Sequence, residues 1–100
     1  MEFLDKEIKN LLCNAAKLEL EASYMYKALS NEMQKLGYFG FQKYFLNESD
    51  DELKHYQNHV DYINDRNDIV ELQRIEQYVI PNTIKSLLDA LEFALSKKLN

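Results

Sequence analysis

This 100-residue chain is poor in everything that interrupts a helix: two glycines, Gly37 and Gly40, and one proline, Pro81. Long unbroken helices are therefore expected. Cys13 is the single cysteine. It has no partner for a disulfide within the chain, so the expected setting is a reducing compartment, the cytoplasm. No apolar run reaches the length needed to span a bilayer, so no membrane partner is expected. The start, Met1 to Lys6, lacks a basic segment followed by an apolar run, and no signal peptide is expected. There is no repeat at a solenoid period and no low-complexity tail. Positive charge is in deficit, 12 Lys and Arg against 17 Asp and Glu, for a net −5. That balance argues against a nucleic-acid backbone as partner and suits the attraction of cations.

What remains is 46% hydrophobic and 29% charged, the balance of one small soluble domain over 1–100 with room for amphipathic helices. The fold class read from this pattern is all-α. The pattern predicts a helix over 2–36, a turn at 37–40, a helix over 41–66, a crossover over 67–81 and a helix over 82–98. In the first helix Ile8, Leu12, Ala15, Glu19, Ala22, Tyr26, Leu29 and Met33 recur at steps of four and three, the seam of a bundle helix. Glu19 is its one charged member. Either it lies at the edge of the stripe or pairs with a basic side chain, or it is a metal ligand, because a lone buried carboxylate is costly. Tyr26 either packs in the core with its hydroxyl on an acceptor or donates to a nearby metal site.

Gly37 is a fitting residue just past a helix end, and so short a turn makes antiparallel neighbours. The second helix offers two stripes. One reads Phe41, Phe45, Glu48, Glu52, His55, His59 and Tyr62, apolar at its ends and polar at its centre. The other reads Tyr44, Leu53, Tyr56, Val60 and Ile63, and a small rotation exchanges them. A polar centre facing inward needs a metal or mutual pairing. Glu52 and His55 are three residues apart, so on a helix they lie one above the other on one face. Glu-x-x-His on a helix is the recurring ligand pair of bundles that bind two metals, although one pair alone is a weak signal. His59 reads as a hydrogen-bonded core or rim histidine rather than a ligand. Further on, Ile69, Leu72, Ile75 and Val79 keep some helical spacing and mark a crossover or short helix over 69–78. Pro81 makes a break, with Asn82 or Thr83 as N-cap of an amphipathic helix carrying Ile84, Leu87, Leu88, Leu91, Ala94 and Leu95. Asp89 and Glu92 read as solvated.

Leu18-Glu19-Leu20-Glu21-Ala22-Ser23-Tyr24-Met25-Tyr26 resembles the first-helix motif of ferritins. The segment from Lys43 to His55, with Glu48, Glu52 and His55 in place, resembles the second-helix motif. Both match together and at the family's separation. Asn64 to Leu72 resembles the start of the ferritin crossover, and Leu88 to Leu95 the first half of the third helix. The resemblance implies a ferritin-like antiparallel helical hairpin plus a short third helix. It implies Glu19 as a terminal iron ligand, Glu52 as the carboxylate bridging two irons, His55 as the imidazole ligand and Tyr26 as a nearby tyrosine that orients or donates. It covers about half of a ferritin. Where the family places a carboxylate for its second iron, the sequence has Lys98, which cannot replace an anionic ligand.

One chain thus offers Glu19, Glu52 and His55, half of the set that a two-iron bundle needs. A symmetric homodimer supplies the other half and completes a four-helix bundle, as in the encapsulated ferritins. The third helix is expected to cover that dimer or link dimers into a higher homo-oligomer. The expected function is iron binding with oxidation of iron(II) to iron(III), a ferroxidase with two irons per shared site. Manganese or zinc suits the same donors. The rivals are a helical interaction module without redox turnover and a di-manganese or di-iron oxygen-chemistry protein that stores nothing.

Overall fold

A computed structural model of the chain describes residues 5–99, with side chains described through 97. Three helices follow one another: α1, Lys6–Leu36; α2, Phe39–Asn64; and α3, Leu87–Leu99. Among the described residues there is no strand, and no helix is long and apolar enough to cross a membrane. The fold class is all-α.

The expected start of α1 at Glu2 lies outside the described residues. Within them α1 begins at Lys6, because the Asp5 side chain accepts the Glu7 N–H at 2.9 Å and caps the helix. Its other end is set by Gly37, at φ 87°. The Gly37 N–H bonds the Gln34 carbonyl at 3.2 Å and the Tyr38 N–H bonds the Met33 carbonyl at 2.8 Å. This is the Schellman arrangement, which uses a left-handed residue to satisfy the last carbonyls. The turn is shorter than the expected 37–40. The Tyr38 carbonyl already accepts the Gln42 N–H at 2.9 Å, so Phe39 and Gly40 belong to α2. At its far end α2 stops at Asn64, two residues before the expected 66. Asn67 takes φ 59°, and the Arg66 and Asp68 N–H groups fold back onto the Ile63 carbonyl at 3.1 and 3.3 Å. Asparagine tolerates the left-handed region that this turn requires.

Cross-links between α1 and α2 step backward along one helix and forward along the other. Ser30 Oγ donates to the Gln42 carbonyl at 2.9 Å, and the Ser23 and Ser49 hydroxyls bond at 2.7 Å. Past the end of α2, Lys9 Nζ meets Asp68 Oδ1 at 2.8 Å. The two long helices are therefore an antiparallel hairpin, with its closed end at Gly37.

Of the two forms read for 69–78, the structure has the crossover and not the short helix. Along it Ile69, Leu72 and Val79 are exposed while Val70, Ile75, Tyr78 and Ile80 are half-buried. The reason is reach. Lys9 anchors its start beside Asp68, whereas Ile80 and Pro81 lie against Glu32, Lys35 and Leu36 at the opposite end of α1. From Lys9 to Glu32, α1 rises about 35 Å at 1.5 Å per residue. The stretch from Ile69 to Ile80 covers about 36 Å when extended and less than half that as a helix. Only an extended chain spans the gap.

The third helix begins at Leu87 rather than at 82. Its cap is Ser86 and not Asn82 or Thr83, since Ser86 Oγ accepts the Asp89 N–H at 3.2 Å. Asp89 in return accepts the Lys85 N–H at 3.1 Å, so it frames the helix start instead of standing free in solvent.

The core gathers Met25, Tyr26, Leu29 and Met33 of α1, Phe45 of α2, and Ile84, Ala90 and Ala94 around α3. This explains why the α1 seam holds only in part. Tyr26, Leu29 and Met33 are buried, but toward the N-terminus the buried positions are Cys13, Ala16 and Ser23, while Ile8 is 48% exposed. Where α3 does not reach, α1 turns a neighbouring face to α2. On α2 the contact line runs between the two expected stripes. Phe45, Ser49 and Ile63 are fully buried, Glu52 and His59 flank one side, and Leu53, Tyr56 and Val60 flank the other.

Candidate metal centre

Two buried serines determine how near the carboxylates come. Ser23 and Ser49 are 0% exposed and meet at the same level of the hairpin. Their hydroxyls bond each other at 2.7 Å, and Ser49 Oγ also donates to the Ser23 carbonyl at 3.1 Å. Small side chains let the helix backbones approach, and mutual hydrogen bonds remove the cost of burying them. Glu19 lies one turn before Ser23, and Glu52 one turn after Ser49. In the antiparallel hairpin those turns fall side by side.

There Glu19, Glu52 and His55 each offer a ligand atom, and these atoms lie within 4.8 Å of one another. His55 Nδ1 is 3.5 Å from Glu19 Oε2 and 3.4 Å from Glu52 Oε2. Glu52 is the most enclosed, with 16% of its side chain exposed, and Glu19 follows at 24%. His55 is 55% exposed, so the cluster opens outward on the imidazole side. Burial pushes the Glu52 carboxyl above the usual glutamate range, and the hydrogen bond and charge of Glu19 push in the same direction, with His55 acting against them. Two carboxylates this close resist being ionised together. A divalent cation relieves that conflict by supplying charge between them. Two carboxylates and an imidazole are donors that fit iron(II), manganese(II) or zinc(II).

Tyr26 is 4% exposed and stacks against Phe45, ring centroids 6.2 Å apart. Burial first, then the charges of Glu48 and Glu52, hold its hydroxyl above the ordinary tyrosine range. Tyr26 and Glu52 also line one cavity of about 370 Å³, together with Leu18, Met25, Tyr78 and Lys97. The tyrosine thus serves the core and borders the cluster at once. Glu48 is half-buried on its other side. Lys98 lies in α3, but its side chain is outside those described. Glu92 is exposed. From sequence His59 reads as a hydrogen-bonded core or rim histidine, with its partner unnamed. In the structure His59 Nε2 stands 3.8 Å from Glu19 Oε1. Its i, i+4 spacing from His55 was the available signal.

The sequence was also compared with known proteins. The family described as the ferritin-like domain matches residues 9–99. No curated protein and no solved structure matches the chain. With that match extending over nearly the whole hairpin, crossover and third helix, the chain belongs to the ferritin-like domain family.

Proposed function

We propose that this protein binds iron(II) and oxidises it to iron(III) at a two-iron site shared by two copies of the chain. The reading rests on one observation: the donor atoms of Glu19, Glu52 and His55 converge within 4.8 Å, with the imidazole 55% exposed. About a quarter turn around α1 from Glu19, Leu11 and Leu18 are 69% and 64% exposed. A patch of apolar side chains beside half a metal site suits an isologous contact, in which the same surface meets its own copy. Two copies then supply the two terminal glutamates and two Glu-x-x-His pairs of a two-metal bundle.

Iron is the substrate in this reading. Two iron(II) ions give up one electron each, and those electrons with two protons reduce dioxygen to hydrogen peroxide. The chain's residues hold, orient and neutralise. Glu52 bridges, Glu19 and His55 each fix one ion, and Tyr26 keeps the floor beside Glu52 closed to bulk water. The acidic surface draws the cation in. Manganese(II) and zinc(II) fit the donors without contributing that chemistry.

The test is anaerobic loading followed by exposure to oxygen. About one iron per chain is expected, as is oxygen consumption that Glu52→Ala abolishes. A protein that binds no transition metal under these conditions is an interaction module, and the reading fails. A strict monomer in light scattering with full metal occupancy would remove the shared-site part alone.

A further inference from the structure

Ile8, Leu11, Leu18, Met25, Leu29 and Met33 fall within about 100° of arc on α1 and make one apolar face along most of its length. α3 lies on part of that face. Ile84 and Lys85, which lead into α3, share a cavity with Glu32 and Leu36 at the closed end of the hairpin. Lys97, near the other end of α3, reaches the cavity bounded by Leu18, Ala22 and Glu52. Where α3 runs, Met25, Leu29 and Met33 are buried in a core that includes its Ala90 and Ala94. Past its end Ile8, Leu11 and Leu18 are exposed. One face is thus half covered, and the cover stops at the level of the metal cluster. We propose that a second copy of the chain docks on this whole face, that α3 is its competitor within the chain, and that the two-copy assembly forms with α3 lifted from α1.

The argument is one of symmetry and length, and it rests on the shared-site reading above. A site made from two copies has its cluster on the two-fold axis. Glu19 lies about 20 Å from the Lys6 end of α1 and about 26 Å from the Leu36 end. A second hairpin set across the cluster by that axis therefore runs about 20 Å beyond it toward Leu36. α3, with 13 residues and a length of about 20 Å, lies along the same stretch. Only one of them can occupy it.

The continuity of the face says what belongs there. Its open half carries the same apolar side chains, on the same arc, as the half that already packs against a helix. The grip of α3 is also slight. It sets the small side chains of Ala90 and Ala94 into the core and leaves Leu88 and Leu95 exposed. Apolar burial stabilises in proportion to area. A partner that brings its own isoleucine and leucines to the face removes more area from water than two alanines do.

The experiment compares the full-length protein with two α3 variants at saturating zinc(II). Sedimentation over a range of concentrations reads the dimer, and hydrogen exchange reads the α3 amides. Ser86→Ala removes the N-cap of α3, and Ala90→Asp puts a charge into its buried contact. Neither residue is a candidate donor. Both variants are expected to tighten dimerisation, Ser86→Ala by about tenfold, since each copy must free its α3 and the gain enters twice. Circular dichroism checks that the long helices persist. Glu92→Ala, on the exposed side of α3, is expected to leave dimerisation unchanged. The α3 amides should exchange faster at concentrations where the dimer forms than where the monomer prevails. A dimer that keeps α3 protected, and forms equally in Ser86→Ala and Ala90→Asp, has its second copy on the open half alone. The inference then falls while the shared-site reading stands. No dimer in any of these proteins ends both.

Discussion

Ser23 on α1 and Ser49 on α2 meet through their hydroxyls at 2.7 Å, wholly buried, one turn from Glu19 and one turn from Glu52. The pair fixes the gap between the helices at the level where the carboxylates face each other. Ser49→Leu is expected to cost about 1–3 kcal/mol by overpacking and to weaken zinc binding as the helices part. Ser49→Ala removes both hydrogen bonds of that hydroxyl and takes a partner from the buried Ser23 hydroxyl; it is expected to cost about 1–3 kcal/mol with zinc binding preserved. Urea denaturation and zinc titration read both variants. Unchanged zinc affinity in Ser49→Leu would show that the cluster does not depend on this separation.

Acid and base act on the metal-free hairpin through Glu52. Its folded pKa lies above the ordinary glutamate value. A raised carboxyl favours folding while it is protonated. That stability is complete below the unfolded pKa and is lost as pH rises through the higher folded value. Metal-free protein should therefore lose stability over that window, and Glu52→Gln should flatten the loss. Saturating zinc should abolish it, because the cation then carries the compensation. Thermal melts across pH, with and without zinc, decide the matter. An equal slope in Glu52→Gln would refute the assignment.

At the far end of the hairpin an ion pair responds to both extremes of pH. Lys9 holds the Asp68 carboxyl below the usual aspartate range, chiefly through their hydrogen bond, and Asp68 holds Lys9 above the usual lysine range. The aspartate's contribution is present above its unfolded pKa and disappears as pH falls through the lower folded one. The lysine's is present below its unfolded pKa and disappears as pH rises through the higher folded one. The crossover should be best anchored between the two. Hydrogen exchange or limited proteolysis near Asp68 should accelerate at both extremes, and Asp68→Asn should accelerate it at neutral pH without unfolding the hairpin. Protection that ignores Asp68→Asn would mean the crossover is held by its apolar contacts alone.

The two glycines should respond in opposite directions to alanine. Gly37 sits at φ 87°, where a side chain strains the backbone, so Gly37→Ala is expected to cost about 1–2 kcal/mol. Gly40 lies inside α2, and an added Cβ would meet nothing within 4 Å. Gly40→Ala is expected to stabilise by about 0.5–1 kcal/mol. The shift in denaturation midpoint measures each.

The two long helices were legible because breakers are scarce and their apolar steps are regular. So was the cluster, since Glu-x-x-His fixes two donors on one face and Glu19 interrupts an otherwise apolar seam. Three features were not. Ile69, Leu72, Ile75 and Val79 imitate a helical period, yet the crossover is extended because of the distance it covers, which no local window contains. The cap of α3 passed to Ser86, since Pro81 marked a break but not where the helix would resume. On α2 the seam through Glu52 and His55 had a rival stripe one rotation away, and neither won: the contact line passes between them, guided by Ser49, a small polar residue that hydrophobic periodicity does not count. His59 meets Glu19 only across that packing, so its place depended on a rotation that the sequence left open.

The extended crossover has a consequence for how the molecule forms. Every candidate donor lies on α1 and α2, which are joined by a two-residue turn, so closing that hairpin is entropically cheap and fast. The last helix must wait for a strap that travels the length of the first. Its docking is the late step, and a chain still lacking it already carries all the groups that would capture a cation.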